Sequence, residues 1–380
     1  MSAHGFADPR YYRSNEYALC RSLAKLGHEV TLFSSNRHPK WQMLEGRSTE
    51  RSVEVVDGFT LKRFQSGPEV GTVPLMPTLL WHLLHTSVDI LHAHTILAPA
   101  SFYSAIASRA MRLPLVITQH DYMYGAVGGL KLFLHVFNNN TMGRYTMHRA
   151  NAVIGLSSAA VSFTWKFGAA PSKTMFIPNS VDTNLFRPDQ ENLLKEKWGI
   201  EHQVVLFVGR LTKDKAPESV LQAFHHVSAI LPDAKLVIVG KGPEEDSLKA
   251  LQKRLDMRNI FFLGRVAKED MPHIYAGADL FVLPSVYEPF GNVVLEAMST
   301  GLPVVGSKIA GMSDVISHGV TGYHIRPGDT TGLSRHMLQL LKDDQLRGRM
   351  SKAARETSVE RFDDMVIARD VETVYKSLRT

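Results

Sequence analysis

The sequence predicts two doubly wound α/β domains, each a mostly parallel sheet with helices on its faces. Short apolar runs rich in Val, Ile and Phe alternate along the chain with longer segments of helical period, a pattern typical of βαβ units. The length of 380 residues is enough for two domains of about 150 to 200 residues each. We therefore expect one sheet in each half of the chain.

The first half is predicted to contain an amphipathic helix and a truncated first strand. The helix covers Leu19–Leu26, whose leucines share one face, and Gly27 stands where a helix C-terminal glycine belongs. A doubly wound domain normally begins with a buried strand, and Met1–Ala3 is too short to supply one. Either the chain starts late or the domain does without this strand. The strands predicted for this half are Glu29–Ser34, Val88–His92, Pro114–Thr118, Ala152–Leu156 and Thr174–Ile177.

Turn chemistry places the domain boundary near residue 183. The segment Ile177–Pro188 holds two prolines and several turn-forming residues. We expect domains at residues 1–183 and 184–360, with residues 361–380 forming a C-terminal helix that packs back on the first domain. The strands predicted for the second half are Val204–Val208, Lys235–Val239, Ile260–Leu263, Leu280–Leu283 and Pro303–Gly306.

The composition fits a cytoplasmic globular protein. The one cysteine, Cys20, leaves no disulfide framework, and the sequence has no uncharged apolar run of about 18 residues. Residues 1–20 lack the basic start and apolar core of a signal peptide. A peripheral position on the cytoplasmic face of the membrane is the alternative.

The net charge of +6 is concentrated in the first half. Residues 1–180 hold 17 Lys+Arg and 10 Asp+Glu, or +7, and the remainder holds 26 and 27, or −1. A basic half can attract anionic lipid headgroups or an acidic acceptor, or it is a solvated surface with no partner. No Lys/Arg cluster is interleaved with aromatic residues, so we expect no nucleic acid partner.

The stretch Tyr122–Arg149 is the one best suited to a membrane surface. Apolar residues such as Leu132 and Phe133 are mixed there with Lys131 and Arg144. Such a stretch lies in a bilayer interface or, equally, forms a helix that covers the sheet.

The segment Pro284–Gly306 carries the strongest site pattern. It ends a strand, turns at Pro289, Phe290 and Gly291, and starts a helix at Asn292. Such a turn places backbone N–H groups and the positive end of a helix at the carboxyl edge of the sheet. A diphosphate fits at such an edge.

Two carboxylates, Glu288 and Glu296, stand on either side of this turn. Carboxylates are good bidentate acceptors for vicinal hydroxyls, so one can serve a donor sugar and the other a ribose. The alternative for each is a solvated surface charge or a helix cap.

A cationic cluster follows another predicted strand at Gly209, Arg210 and Lys215. A diphosphate bound at such an edge needs compensating positive charge, from cations or from a metal. Because no Asp-x-Asp follows a strand, we expect Arg210 and Lys215 to supply this charge. The alternative for either residue is an ordinary ion pair.

Two glycine turns follow further strands. Gly240 ends one strand, and Gly264 ends another just before Arg265 and Val266. Glycines at strand ends occur in any doubly wound fold, so a packing role alone is the alternative. The first βα turn has no G-x-G-x-x-G, which counts against an NAD dehydrogenase.

Histidines stand at two strand ends of the first half: His92 with His94, and His120 with Asp121. The carboxyl ends of strands line the crevice where ligands bind, so these residues are candidates for an acceptor site. A metal role for His92 and His94 lacks an evident third ligand. The alternative is that they are hydrogen-bonded polar groups of the fold.

In their order along the chain, these features resemble family 4 of the retaining glycosyltransferases, which have the GT-B fold of two Rossmann-like domains facing across a cleft. The resemblance covers nearly the whole chain and is strongest in the second domain. Its features there are Gly209 to Leu211 with Lys215, Val239 to Pro243, Glu288 and Glu296 in a Glu-x7-Glu arrangement, and Gly301 to Val305. Those in the first domain are Gly27 to Val30, His92 to His94, Thr118 to His120 and Ile177 to Asp182.

The resemblance implies transfer of a sugar, with retention of anomeric configuration and without a bound metal. The donor would be a UDP- or GDP-sugar, and the acceptor a glycan, a glycolipid or a lipid-linked molecule. Retention in this family is usually explained by same-face attack, in which the leaving phosphate takes the proton of the acceptor. No protein nucleophile is therefore assigned.

The resemblance also implies roles for particular residues. By position, Arg210 and Lys215 would hold the diphosphate, Glu296 the ribose and Glu288 the donor sugar, with Arg265 and Val266 beside the base. The donor-binding backbone would include Gly209, Gly240, Phe290, Gly291 and Asn292. His120 would lie near the reacting centre and the acceptor, as a positioning and electrostatic residue. With Arg210, Lys215 and Glu288 it makes up the expected catalytic set.

Two segments depart from the family pattern. Arg13–Glu16 replaces a glycine-rich loop, and Ala310–Asp314 stands where a Gly-Gly pair followed by a glutamate is common. The alternative functions are a nucleotide-sugar epimerase of the same fold and a catalytically inactive sugar-binding homologue. An epimerase would need acid and base residues able to eliminate the nucleotide, and the cations and carboxylates of the second domain fit transfer better.

Overall fold

A computed structural model describes residues 15–36, 53–65, 67, 69–70, 73–96, 98–120, 139–201 and 203–379. The chain divides into two units, Met1–Asn179 with Asp364–Thr380, and Ser180–Asp363. The predicted boundaries at residues 183 and 360 lie a few residues from these divisions. The predicted truncation of the first strand concerns residues outside the described ranges.

The first unit contains three sheets among its described residues, with strand orders β1-β3-β2, β4-β5 and β6-β7-β8-β9. The sequence analysis expected one sheet here, and the described strands of this unit pair in three groups. The four-stranded sheet is parallel throughout. The strands are β1 (Thr31–Ser35), β2 (Val53–Val56), β3 (Phe59–Phe64), β4 (Glu69–Val70), β5 (Val73–Pro74), β6 (Leu91–His94), β7 (Leu115–Gln119), β8 (Ala152–Gly155) and β9 (Thr174–Phe176). The helices are α1 (Asn15–Lys25), α2 (Leu79–Leu84), α3 (Pro99–Met111), α4 (Arg144–Arg149) and α5 (Ser158–Trp165).

A hairpin that the sequence analysis missed joins β2 and β3. Val56 pairs with Phe59 in antiparallel register, and the two residues between them, Asp57 and Gly58, have φ of 47° and 86°. Positive φ at both central residues is the signature of a type I′ turn, for which Asp-Gly is a preferred sequence. The dipeptide between two β-rich runs was the signal that could have predicted this hairpin.

The second unit is built on one parallel sheet of six described strands, in the order β12-β11-β10-β13-β14-β15. This is the Rossmann order, which reverses direction between β10 and β13. The strands are β10 (Val204–Val208), β11 (Lys235–Val239), β12 (Ile260–Gly264), β13 (Leu280–Leu283), β14 (Val304–Ser307) and β15 (Gly322–Ile325). The helices are α6 (Leu193–Trp198), α7 (Pro217–Ile230), α8 (Glu245–Arg254), α9 (Met271–Ala276), α10 (Asn292–Ser299), α11 (Ala310–Val315), α12 (Thr330–Lys342) and α13 (Asp344–Arg361).

The central strands of this sheet are continuous apolar runs. Every residue of β10 and of β13 is buried, as expected for parallel strands covered by helices on both faces. The five strands predicted for this half all form, and β15 was not predicted. Short loops at the carboxyl ends of the strands therefore extend from a rigid core.

The last helix, α14 (Asp364–Ser377), belongs to the first unit. Its buried Ile367 and Val371 pack in one cluster with Val116 of β7 and Ile154 of β8. Arg21 of α1 donates a 2.7 Å hydrogen bond to Asp364 at the start of the helix. Both ends of the chain thus contribute to one core.

None of the described helices is long and apolar enough to cross a bilayer.

Candidate functional site

The predicted site residues of the second unit converge where the strand order reverses. Arg210 is the second residue after β10, and Lys215 lies in the short helical turn Lys213–Lys215 that follows. Glu288 lies in the loop after β13, the strand that pairs with β10. Ligands of open α/β sheets bind at this switch point, outside the carboxyl ends of the strands.

Lys215 and Glu288 join the two loops through an ion pair. Lys215 Nζ donates hydrogen bonds to Glu288 Oε2 at 2.8 Å and to the Tyr287 carbonyl oxygen at 3.2 Å. The two charged side chains are only 16% and 13% exposed. The Val286 N–H also donates to the Asp214 carbonyl oxygen at 2.8 Å. A desolvated ion pair with further hydrogen bonds has a fixed geometry, so Lys215 holds its charge in place at the switch point.

Arg210 is exposed at the end of β10. Among the described residues it takes part in no ion pair, so the alternative of an ordinary structural ion pair finds no support there. An exposed guanidinium offers its fork to a ligand with two oxygens, such as a phosphate. The two cations thus differ in their setting: Lys215 is held in an ion pair, and the Arg210 side chain is exposed.

Close packing of glycine turns holds the backbone at Arg210. Gly209 donates to the Val239 carbonyl oxygen at 3.0 Å and Leu211 to that of Lys241 at 3.1 Å. Gly240 has φ of +137°, and a Cβ there would overlap the Gly209 carbonyl oxygen. Only glycine fits such a contact. Gly240 thus has a packing role, because it allows the loop at Gly209 to lie close against the end of β11.

Gly264, Arg265 and Val266 lie at the same carboxyl edge, two strands from β10. Gly264 is the last residue of β12 and has φ of +66°. Arg265 is exposed and Val266 is half-buried. A ligand bound at the end of β10 and extending along this edge of the sheet would reach these residues.

The turn before α10 offers the start of a helix to this edge. Phe290 is buried, Gly291 has φ of +96°, and Asn292 begins the helix as an exposed residue. The first N–H groups of a helix have no intrahelical acceptor, which favours an anion there. Gly311 of α11 packs against this turn, because a Cβ on it would overlap the backbone of Pro289 and Phe290.

Glu296 lies on the second turn of α10 and is half-buried. The Tyr275 hydroxyl of α9 donates a 2.8 Å hydrogen bond to Glu296 Oε2. Burial raises the pKa of Glu296 above its usual value, while the Tyr275 hydrogen bond and the charge of Lys268 act to lower it. Tyr275 was missed by the sequence analysis, because a contact between two helices leaves no local pattern.

In the first unit, His92 serves the fold. Its Nδ1 pairs with the Tyr375 hydroxyl at 2.5 Å and its Nε2 with Thr118 Oγ1 at 2.7 Å. Burial lowers its pKa to about 3. Both ring nitrogens of His92 are thus occupied by hydrogen bonds, which favours its role in the fold over the metal role that was considered for it.

His94 and His120 meet at the ends of β6 and β7. His94 Nδ1 and His120 Nε2 form a 2.9 Å hydrogen bond, and Glu16 Oε1 lies 3.6 Å from His120 Nε2. Burial and the neighbouring His92 hold the pKa of His94 well below its usual value. His120 therefore sits between the His94 ring and the Glu16 carboxylate.

These three residues could together hold a metal ion, because one ligand atom from each lies within 4.8 Å of the others. Glu16 would be the third ligand, which the sequence analysis did not identify. Glu16 lies on α1. Its distance from the ends of β6 and β7 depends on how this helix packs against the sheet, which no local sequence pattern indicates.

Other sequence-based candidates remain outside the described residues, namely Asp121 and residues 122–138. Of the predicted membrane stretch, residues 139–149 are described, with Met142, Arg144 and Tyr145 exposed. Met142 and Tyr145 have 45% and 37% of their surface accessible.

Two family models match the chain in order. Residues 17–185 match the model described as Glycosyltransferase Family 4, and residues 190–357 match Glycosyl transferases group 1. With the two doubly wound units and the site at the Rossmann switch point, these matches define a glycosyltransferase of the GT-B fold.

Curated relatives give the same result. The chain is 30% identical to N-acetyl-alpha-D-glucosaminyl L-malate synthase of Bacillus anthracis over 76% of its length and 74% of the relative. It is 28% identical to phosphatidyl-myo-inositol mannosyltransferase of Mycobacterium leprae over 88% and 84%. The chain belongs to glycosyltransferase family 4.

A solved structure confirms the fold. Anabaena Alr3699/HepE in complex with UDP and glucose has a TM-score of 0.75 and 24% sequence identity to this chain, and the match covers 98% of each chain. The predicted GT-B fold with two Rossmann-like domains is thus confirmed.

Proposed function

We propose that this protein is a retaining, metal-independent glycosyltransferase that moves a sugar from a UDP- or GDP-sugar to a glycan, glycolipid or lipid-linked acceptor. The observation that carries the proposal is the switch point of the second unit. There a fixed Lys215–Glu288 ion pair, an exposed Arg210 and a helix start at Gly291 share one sheet edge.

The cations supply what the leaving group needs. As the bond from sugar to phosphate breaks, negative charge grows on the diphosphate, and Arg210 is free to bind two of its oxygens. Lys215 adds a charge that is already oriented, because Glu288 and the Tyr287 carbonyl hold it. Donors fixed before the reaction cost little reorganisation.

The carboxylates select the sugars of the donor. Glu288 accepts hydrogen bonds from the transferred sugar while it keeps Lys215 in place, and Glu296 accepts those of the ribose. Arg265 and Val266 flank the base farther along the edge. Gly209, Gly240, Phe290, Gly291 and Asn292 provide the backbone against which the diphosphate lies.

The retaining step needs no nucleophile from the protein. The acceptor hydroxyl attacks from the face that the diphosphate leaves, and a phosphate oxygen takes its proton. His120 positions the acceptor and adds electrostatic stabilisation at the end of β7, where the Glu16 carboxylate lies 3.6 Å from its Nε2. Treatment with a chelator should leave the rate unchanged; a loss restored by a divalent metal would argue for ion binding at Glu16, His94 and His120.

The similar proteins leave the donor base and sugar open. One relative is an N-acetyl-glucosaminyl L-malate synthase, another is a mannosyltransferase, and the solved structure holds UDP and glucose. UDP and GDP are therefore the first nucleotides to test. Small changes in pocket contacts can change the sugar that is accepted.

The first test is calorimetric titration with UDP, GDP and ADP. We expect one nucleotide to bind with micromolar affinity and Arg210→Ala to weaken it at least tenfold, the loss typical of a bond between charged groups. Arg258→Ala is the matched control, because Arg258 is an exposed arginine before the amino end of β12. Equal losses in both variants, or no binding to the natural protein, would contradict the donor site.

Turnover separates transfer from the alternative functions. We expect slow hydrolysis of the matching nucleotide-sugar without acceptor and release of the nucleoside diphosphate. A C2 epimer of the sugar among the products would identify an epimerase. Nucleotide binding without any turnover, in the presence of candidate acceptors, would identify an inactive homologue.

We place the reaction in the cytoplasm, with peripheral attachment to the membrane face where the acceptor is lipid-linked. The exposed Met142, Arg144 and Tyr145 combine apolar and basic character on one segment of the first unit, as interfacial segments do. Flotation with liposomes containing anionic lipid should carry the protein to the top of the gradient. Protein that stays in the pellet would remove the membrane proposal and leave the transferase proposal intact.

A further inference from the structure

A buried tyrosine, Tyr275, is hydrogen-bonded to the carboxylate of Glu296. The Tyr275 hydroxyl donates its hydrogen bond to Glu296 Oε2 at 2.8 Å, and Tyr275 is 0% exposed. The two residues come from different helices, α9 and α10. The tyrosine therefore cannot touch a ligand itself, and any effect it has on one passes through Glu296.

Aromatic contacts fix the Tyr275 ring. Its centroid lies 5.8 Å from that of Phe186 with an interplanar angle of 73°, and 5.9 Å from that of Phe281 with an angle of 53°. Both neighbours are buried. Edge-to-face and tilted packing of this kind restricts rotation, so the hydroxyl remains directed at Glu296.

The protonation states favour one direction for this hydrogen bond. Burial and the nearby Glu296 raise the pKa of Tyr275 well above its usual value, so the phenol stays protonated and donates. Burial raises the pKa of Glu296, and the bond from Tyr275 and the charge of Lys268 oppose this rise. Tyr275 thus helps to keep a half-buried carboxylate ionised.

We propose that Tyr275 is a positioning residue for the ribose of the donor, holding Glu296 Oε2 so that the carboxylate presents its remaining acceptor sites to the two vicinal ribose hydroxyls. The role rests on the proposed donor site. A carboxylate whose rotation is fixed in advance loses less conformational entropy on binding a diol. The contribution of Tyr275 should therefore disappear when the hydroxyls are absent.

The test compares UDP with 2′,3′-dideoxy-UDP by calorimetry, or the corresponding guanosine pair if GDP binds better. Tyr275→Phe keeps the ring and removes the hydroxyl. We expect it to weaken UDP binding about tenfold, the scale of one hydrogen bond to a charged group, and to leave dideoxy-UDP binding unchanged. Phe281→Leu is the packing control, and any effect it has should be equal for the two nucleotides.

A pH profile gives a second readout. If carboxylate Glu296 is the form that binds, UDP affinity falls as the pH drops through the pKa of this residue. Removing the Tyr275 donor raises that pKa, so the acid limb should move to higher pH in Tyr275→Phe and stay in place in Phe281→Leu.

The outcomes separate this role from the donor site itself. Equal losses for UDP and dideoxy-UDP in Tyr275→Phe, with no shift of the acid limb, would show a merely structural tyrosine. Unchanged UDP affinity would show that Glu296 needs no positioning. If the natural protein binds none of these nucleotides, the donor site fails and the role of Tyr275 fails with it.

Discussion

Lys215 and Glu288 are separated by 73 residues in the chain, yet their charged atoms are 2.8 Å apart. The sequence predicted both residues as parts of a donor site, since each follows a strand of a doubly wound domain. It did not reveal that they are partners, because their contact depends on β10 and β13 being neighbours in the sheet. The sequence was enough to predict that both residues lie at strand ends, but not that they contact each other across neighbouring strands.

We expect removal of Lys215 to destabilise the second unit. Lys215→Met leaves Glu288 without its hydrogen-bond donor, which should lower the free energy of unfolding by about 1 to 3 kcal/mol. The control is Lys213→Met, since Lys213 is exposed on the same turn and should change stability by less than about 0.5 kcal/mol. Urea unfolding followed by circular dichroism measures both.

A double variant tests the cause. Lys215→Met with Glu288→Gln removes the unpaired charge, so we expect it to recover most of the stability lost in Lys215→Met. Failure to recover would mean that the lysine stem, and not its charge, stabilises the turn.

At the scale of elements, the bounds of the continuous apolar strands were predicted to within one residue, and those of a strand with polar residues were displaced further. The apolar runs at β10, β11 and β13 were predicted with the bounds that the structure has. β6 was predicted as Val88–His92 and forms at Leu91–His94. The polar residue His92 suggested that the strand ends there, but β6 continues to pair with β7 as far as His94. The groups that hydrogen-bond to the two histidine rings, such as Tyr375 and His120, lie far away in the sequence.

The β2–β3 hairpin gives a prediction about backbone conformation. Gly58→Ala should lower the free energy of unfolding by about 1 kcal/mol, because φ of +86° is strained for alanine. The same substitution at Gly348, which is exposed within α13 with no atom near its Cβ position, should raise it by about 1 kcal/mol. Thermal unfolding measures both, and changes of the same sign would contradict the turn assignment.

At the scale of the whole molecule, two neighbouring histidines make the stability of the first unit depend on pH. His92 and His94 both lie inside the first unit, and burial lowers the pKa of both. The unfolded chain binds protons near pH 6.5, whereas the folded rings stay neutral. Folded pKa values below the unfolded value mean that stability is present at neutral pH and is lost as the pH falls below about 6.5.

We therefore expect acid to weaken the first unit. With a folded pKa of about 3 for His92, the unit should lose about 2 kcal/mol from this residue between pH 7.5 and pH 5.0. Hydrogen exchange of β6 to β8, corrected for the intrinsic rate, measures the loss. In His92→Gln the dependence on pH should be smaller, while replacing the exposed His148 by Gln should leave it unchanged. An equal dependence in all three proteins would contradict the assignment.

The first unit is assembled from Met1–Asn179 and Asp364–Thr380, and this has a consequence for synthesis on the ribosome. The nascent chain exposes the apolar surface around Val116 and Ile154 until α14 has been synthesised, which happens only after the whole second unit. At bacterial to eukaryotic elongation rates of about 5 to 20 residues per second, the delay is roughly 10 to 40 seconds. The second unit has all its sequence available earlier and can fold first, so the incomplete first unit is the nascent segment that chaperones must protect.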